Sequence, residues 1–257
     1  MNDRSRTGAD RSSDSAPGRS AERILDDARR ALFVMAGVLA FMWLAQLVNW
    51  LDHYGLSRQF GIVAREPSRL PDIFAAPFLH WSFTHIESNS APLFFLGFLA
   101  AYRGIARFVA VSALVIVTSG LGSWLFEPAH TVGAGASGVV FGYFSYVVLR
   151  GVVERHIIDV IVGVVVAVSY WSILRGVLPS DPHVSWQAHL FGLIGGVAAA
   201  LLLRERHAKR FDAPAVTPEA GGQPASSTPS VSSSAPALDA DRSHGALHDE
   251  LRRMGIE

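Results

Sequence analysis

Cysteine is absent from the 257 residues, which excludes disulfide stapling, thiolate nucleophiles and any zinc site built on sulfur. Charge is scarce too. Asp, Glu, Lys and Arg make up 17% of the chain against 50% hydrophobic residues, and the mean hydropathy is +0.29. That balance is too apolar for an ordinary soluble domain and suits a lipid bilayer as solvent. The formal net charge is zero, and the arginines cluster in a way that carries membrane topology, so nucleic acid is not an expected partner. Arginine stands in for lysine almost everywhere and alanine and glycine abound; this composition suggests a GC-rich bacterial genome, and hence the bacterial plasma membrane. No HExxH, no P-loop pattern and no complete G-x-S-x-G elbow occur, which removes the usual signatures of zinc proteases, nucleotide hydrolases and α/β-hydrolases. No motif calls for a cofactor.

What is present is a polar stretch, an apolar middle and a second polar stretch. Residues 1–25 are rich in Ser, Asp, Arg and Gly and bury too little to offset the entropy of ordering, so a disordered tail is expected. Residues 208–257 are rich in Pro, Ser and Ala and read as a second tail, with HGALHDELRRMGIE able to form a short terminal helix. Between them, residues 26–207 hold six apolar runs, beginning with ALFVMAGVLAFMWLAQLVNWL and ending with AHLFGLIGGVAAALLL. A helix needs roughly 20 residues to cross a hydrocarbon core of about 30 Å. The expected fold is an all-α polytopic membrane protein, a six-transmembrane-helix bundle. Arg29 and Arg30, Arg103 and Arg107, Arg150 and Arg155, and Arg204 to Arg210 fall on one side of such a bundle, which places both termini in the cytoplasm. Arg58, Arg65 and Arg69 in the first loop run against that asymmetry.

The fourth run begins late. After EPAHTVGAGA the next helix can start only near Ser137, because the preceding glycines favour non-helical backbone. Counted to Arg150, that helix covers roughly 20 Å of a core of about 30 Å, so Ser137 is expected about 10 Å below the outer surface. Irregular backbone at that depth must be enclosed by protein or line a watery cavity. The plainer reading of Gly133 to Gly138 is a small-residue helix contact.

Polar residues inside the spans cluster in two further places. His85 and Asn89 stand four apart in FLHWSFTHIESN, with His80 shortly before them. Such residues mark a site or serve as interhelical hydrogen-bond glue. His189 enters the sixth run beside Ala188, Gly192 and Gly196, a stripe that matches Gly138 and Gly142 of the fourth. Parallel close packing of these two helices brings Ser137 and His189 to similar depth. A hydroxyl beside an imidazole suits nucleophilic attack on a carbonyl, and His85, Asn89 and the Ser137 amide could stabilise the oxyanion. No carboxylate stands where it could orient His189, so a dyad is expected and not a triad. A metal held by several of His80, His85, His130, His183 and His189 would need three or four of them to converge; no metal site is expected.

GASGVVFG, HWSFTHIESN and AHLFGLIGG resemble the three signature regions of the rhomboid intramembrane serine proteases, over roughly residues 30 to 205. The resemblance implies Ser137 as nucleophile, His189 as base, and His85 and Asn89 as oxyanion-stabilising residues. It leaves His80, Gly135, Gly138, Phe141 and Gly192 structural or accessory. It also implies that transmembrane protein substrates reach the site from the lipid bilayer, past spans two and five, and are cleaved near the outer face where helix-breaking and small residues occur. Two departures stand out: Pro71 and Asp72 occupy the place of a Trp-Arg pair common in the first loop, and Phe141 replaces a tyrosine four residues after the nucleophile. The alternative is a catalytically silent relative that binds transmembrane clients, although such members typically lose the serine or the histidine.

Overall fold

The computed structural model of the protein describes residues 17–179 and 184–204. The long apolar runs are helical, as a backbone facing hydrocarbon must be to satisfy its own N–H and C=O groups. In chain order they form α1 (Pro17–Leu51), the short α2 (Gly55–Phe60), α3 (Phe83–Ala101), α4 (Ile105–Phe126), α5 (Ser137–Glu154), α6 (Ile157–Ser169) and α7 (Trp186–Leu202). Strands β1 (Ile62–Val63) and β2 (Val132–Gly133) and 3-10 turns at Pro67–Phe74, Ala76–Phe78 and Trp171–Val177 complete the described elements. By length and apolarity α1 from Ala21 onward and α4 can each cross a membrane alone. α6 and the 3-10 turn after it, bent by 64°, qualify together as a third span, while α7 is apolar but shorter. Large apolar side chains cover the outside of the bundle: Phe33, Leu44, Ile157 and Leu202 are all more than 60% exposed. Such a surface needs lipid to cover it, and the chain is an integral membrane protein.

Two boundaries differ from the sequence reading. α1 begins at Pro17, inside the stretch 1–25 expected as a tail; proline suits a first helical position, and AERILDDARR supplies good helix formers. Residues 1–16 and the expected tail 208–257 lie outside the described residues. α5 starts at Ser137 as expected but continues past Arg150 to Glu154. Arg150 does not mark a helix end because its charge is compensated: Nη2 donates to Asp159 Oδ1 at 2.8 Å and Nη1 to the Leu99 carbonyl at 3.2 Å. Arg103 pairs with the other Asp159 oxygen, and Arg107 reaches Glu154 at 2.9 Å. The α3–α4 and α5–α6 turns are thereby tied together. With α5 longer than expected, the half-buried position of Ser137 rests on the helices around it and not on a short span.

α5 and α7 form the most intimate helix pair. A Cβ added at Gly192 would run into the Gly138 carbonyl, and one at Gly196 into the Gly142 carbonyl, so these backbones touch where the glycine stripes predicted contact. α4 packs on the same place, with Ser119 Oγ donating to the Ala188 carbonyl at 2.9 Å. The first loop closes the other flank: β1 pairs antiparallel with β2, Ile62 opposite Gly133. Arg69 organises that loop, bonding the Asp72 carboxylate and the Gln59 carbonyl. Asp72 stands where the Trp-Arg pair was missed, so a local ion pair stabilises the loop instead.

Gly192→Val should push α7 off α5 and lower stability by about 1–3 kcal/mol or more, as overpacking does, whereas Gly37→Ala, which meets nothing within 4 Å, should leave it unchanged. Thermal unfolding of the purified variants in detergent checks this.

Candidate active site

Ser137 opens α5 after Ala136, which is already in the right-handed helical region, and the two residues before Ser137 are held by neighbours outside the helix. Gly135, at φ +148°, takes a conformation that a side chain would resist, and its N–H donates to the Ala76 carbonyl at 3.0 Å. The next N–H, of Ala136, points at His80 Nε2 at 3.3 Å. The first loop thus grips the two backbone N–H groups that lead into α5.

His189 lies one turn into α7, whose start is capped by Ser185: its Oγ accepts from the Ala188 N–H at 3.1 Å and donates to the buried carboxylate of Glu127. From there His189 Nε2 reaches Ser137 Oγ at 2.8 Å, and Nδ1 lies 2.8 Å from the Gly176 carbonyl. A carbonyl only accepts, which assigns the proton to Nδ1 and leaves Nε2 free to accept from the serine hydroxyl. Phe141, one helical turn after Ser137, stacks on the imidazole with ring centres 4.1 Å apart and planes 8° apart. It fills the place of the expected tyrosine through its ring face alone.

His85 occupies the first turn of α3, after Ser82 accepts its N–H at 3.0 Å. Its ring lies against Gly135: a Cβ there would stand 2.8 Å from His85 Cε1 and 2.9 Å from Nε2. Asn89 is buried one turn deeper with its Nδ2 unpartnered, and both residues line one open cleft with Ser137, Phe141, Gly176 and His189. Orphaned buried donors are costly and rare; here Asn89 offers its amide to the cleft. His80 is not on the α3 face but in the loop before it, its ring edge-on to His85 at 5.0 Å. Its carbonyl accepts from Asn49 Nδ2 at 2.8 Å. Burial, with the His85 ring beside it, pushes its pKa down to about 3, so His80 stays neutral and can accept from Ala136.

The structure therefore brings Ser137, His189, His85, Asn89 and Phe141 to one cleft, with Gly135 and His80 packed against the His85 ring and Gly138 and Gly192 setting the helix spacing. Sequence reading missed Gly176, whose contribution is a backbone carbonyl, and Glu127 with Ser185, whose capping roles depend on a contact between α4 and α7. Ser185, four residues before His189 at the head of an apolar run, was a visible N-cap signal. Behind Ser137 a cavity of about 50 Å³, mostly apolar in its lining, carries the polar side chains of Ser119, Ser123 and Glu127 and is large enough for water. Among the described residues no three His, Asp or Glu side chains converge as a metal would require; His183 lies outside them.

A helical membrane protein with a hydrogen-bonded Ser–His pair enclosed between two helices is a narrow class. Residues 67–206 match the model of the Rhomboid domain, and the chain belongs to the rhomboid family. It is 35% identical over 198 residues to an uncharacterized protein of Mycobacterium tuberculosis, covering 72% of this chain and 82% of that one. An uncharacterized protein of Mycobacterium leprae is 35% identical over 190 residues, 68% and 74% of the two chains. A Bacillus subtilis protein named "Putative rhomboid protease YdcA" is 30% identical over 135 residues, 52% and 67% of the two chains.

Stacked aromatic contacts contribute about 0.5–1.5 kcal/mol, so Phe141→Leu should slow acylation of Ser137 by an activated ester about two- to tenfold. Stopped-flow release of the leaving group from the solubilised protein measures this directly.

Proposed function

We propose that this chain is an intramembrane serine endopeptidase that cleaves transmembrane protein substrates through a Ser137–His189 dyad. The observation that supports it most is the 2.8 Å contact between Ser137 Oγ and the Nε2 that the Gly176 contact leaves unprotonated. In this reading Ser137 Oγ attacks the scissile carbonyl carbon while its proton passes to Nε2. The carbonyl oxygen becomes an oxyanion beside the Ser137 N–H and the side-chain N–H groups of His85 and Asn89, donors that strengthen as charge develops. His189 then returns the proton to the leaving amine, and an acyl-Ser137 ester remains. Water, deprotonated by the same Nε2, hydrolyses that ester and restores the hydroxyl.

The domain proposed for this work spans residues 26–207, with six membrane crossings by α1, α3, α4, α5, α6 and α7; α1 starts ahead of it at Pro17, and the chain on either side of the domain lies in the cytoplasm. Arg103, Arg107 and Arg150 meet at the end of the bundle away from Ser137. Taken as the cytoplasmic end, that gathering of arginines turns the cleft toward the outer face. Substrates reach it from the bilayer between α3 and α6, and small or helix-breaking residues near the cleaved bond ease unwinding into the cleft.

Cleavage of a single-span reporter in liposomes should persist with a chelator and fall by at least about a thousandfold in Ser137→Ala and in His189→Ala, the scale of losing a nucleophile or its base. Gel analysis of product over time reads it. Cleavage that survives Ser137→Ala would exclude the mechanism.

A further inference from the structure

Gly176 lies in the 3-10 turn Trp171–Val177, which leaves α6 at a 64° bend. No residue of this turn is buried. Trp171 is 60% exposed with Arg175 over its ring at 5.3 Å, an amphipathic pair suited to the membrane–water boundary. The backbone bonds of the turn are local, Ile173 N–H to Tyr170 and Leu178 N–H to Arg175. Yet its Gly176 carbonyl receives the Nδ1–H of His189 on another helix. Glycine is required there by space: a Cβ at residue 176 would lie 2.9 Å from both His189 Nδ1 and Phe141 Cζ.

We propose that Gly176 is a positioning residue, whose carbonyl holds His189 in the Nδ1–H tautomer so that the base is competent only while the 3-10 turn is seated. A neutral imidazole carries one proton. With the carbonyl withdrawn, that proton can occupy Nε2, where the ring donates to Ser137 Oγ and cannot take its proton. A short segment whose side chains are exposed or only half-buried, with Ile173 leaning on the hydrophobic core, opens at low free-energy cost, so the outer end of α6 and the chemistry at Ser137 are linked through one hydrogen bond. Displacement of this end switches the base off, and reseating restores it. The inference rests on the proposed Ser137–His189 mechanism.

The test uses the full chain labelled with 15N-histidine in liposomes, with the His189 resonances identified by their loss in His189→Asn. Imidazole 15N shifts are recorded beside kcat and KM for a single-span reporter. Wild type should show the Nδ1–H tautomer; Gly176→Ala should show a tautomer mixture and lose at least about tenfold in kcat, the scale of one buried hydrogen bond, with little change in KM. Trp171→Ala, which adds no atom near the ring and loosens the turn, should shift both readings in the same direction and decides the matter if Gly176→Ala does not fold. An Nε2–H tautomer in wild type, or a kcat loss with the wild-type tautomer retained, overturns the proposal. Ser137→Ala run in parallel separates the two ideas: reporter cleavage that continues without the serine removes the mechanism itself, whatever the tautomer.

Discussion

The backbone contact between α5 and α7 is the constraint on which the rest depends. The carbonyls of Gly138 and Gly142 stand so close to Gly192 and Gly196 that no Cβ fits at either α7 position, while Gly138 and Gly142 themselves lie against Ser119 and Val115 of α4, and this fixes the relative height of two helices whose first turns carry Ser137 and His189. In a bilayer there is no hydrophobic drive to bring helices together, so packing of small residues and interhelical hydrogen bonds must do it. Once that spacing is set, a serine and a histidine 52 positions apart in sequence stand 2.8 Å apart. A methyl group at the crossing would move reacting atoms by a distance that such chemistry does not tolerate.

Around this crossing, polar groups are placed in pairs because each would be expensive alone at membrane depth. Ser119 satisfies the Ala188 carbonyl, Ser185 caps α7 and is itself held by Glu127, and His80 accepts the Ala136 N–H. At the far end of α5, Arg150 and Arg103 share Asp159. Among the buried polar atoms without a partner in the described residues is the Asn89 amide nitrogen, on a residue that lines the cleft with Ser137 and His189. A donor left without a partner on a residue that lines a cleft suits a site where negative charge develops.

Much of this was legible in the sequence where the signal is side-chain identity at a fixed spacing. The apolar runs gave the helices, the glycines before Ser137 gave the start of α5, and the matched stripes gave the α5–α7 pair. His85 and Asn89 were placed correctly because both lie on α3, four residues apart. His80 was not, since Ser82 begins the helix after it. The end of α5 was misjudged because Arg150 looks like a surface residue until its partner Asp159, nine positions on, is seen. The missing Trp-Arg pair left the first loop open, and Arg69 fills that role through contacts with backbone carbonyls, which no residue pattern announces. Gly176 was invisible for the same reason.

The central claim is that Ser137 is an activated nucleophile because His189 accepts its proton within the helix bundle. The most direct measurement is peptide mass spectrometry of membranes treated with a fluorophosphonate, comparing the full chain with His189→Ala. The account predicts a single covalent adduct on Ser137 that forms at least about a thousandfold more slowly without the imidazole. Modification of a different residue, or equal labelling of Ser137 without His189, would contradict it.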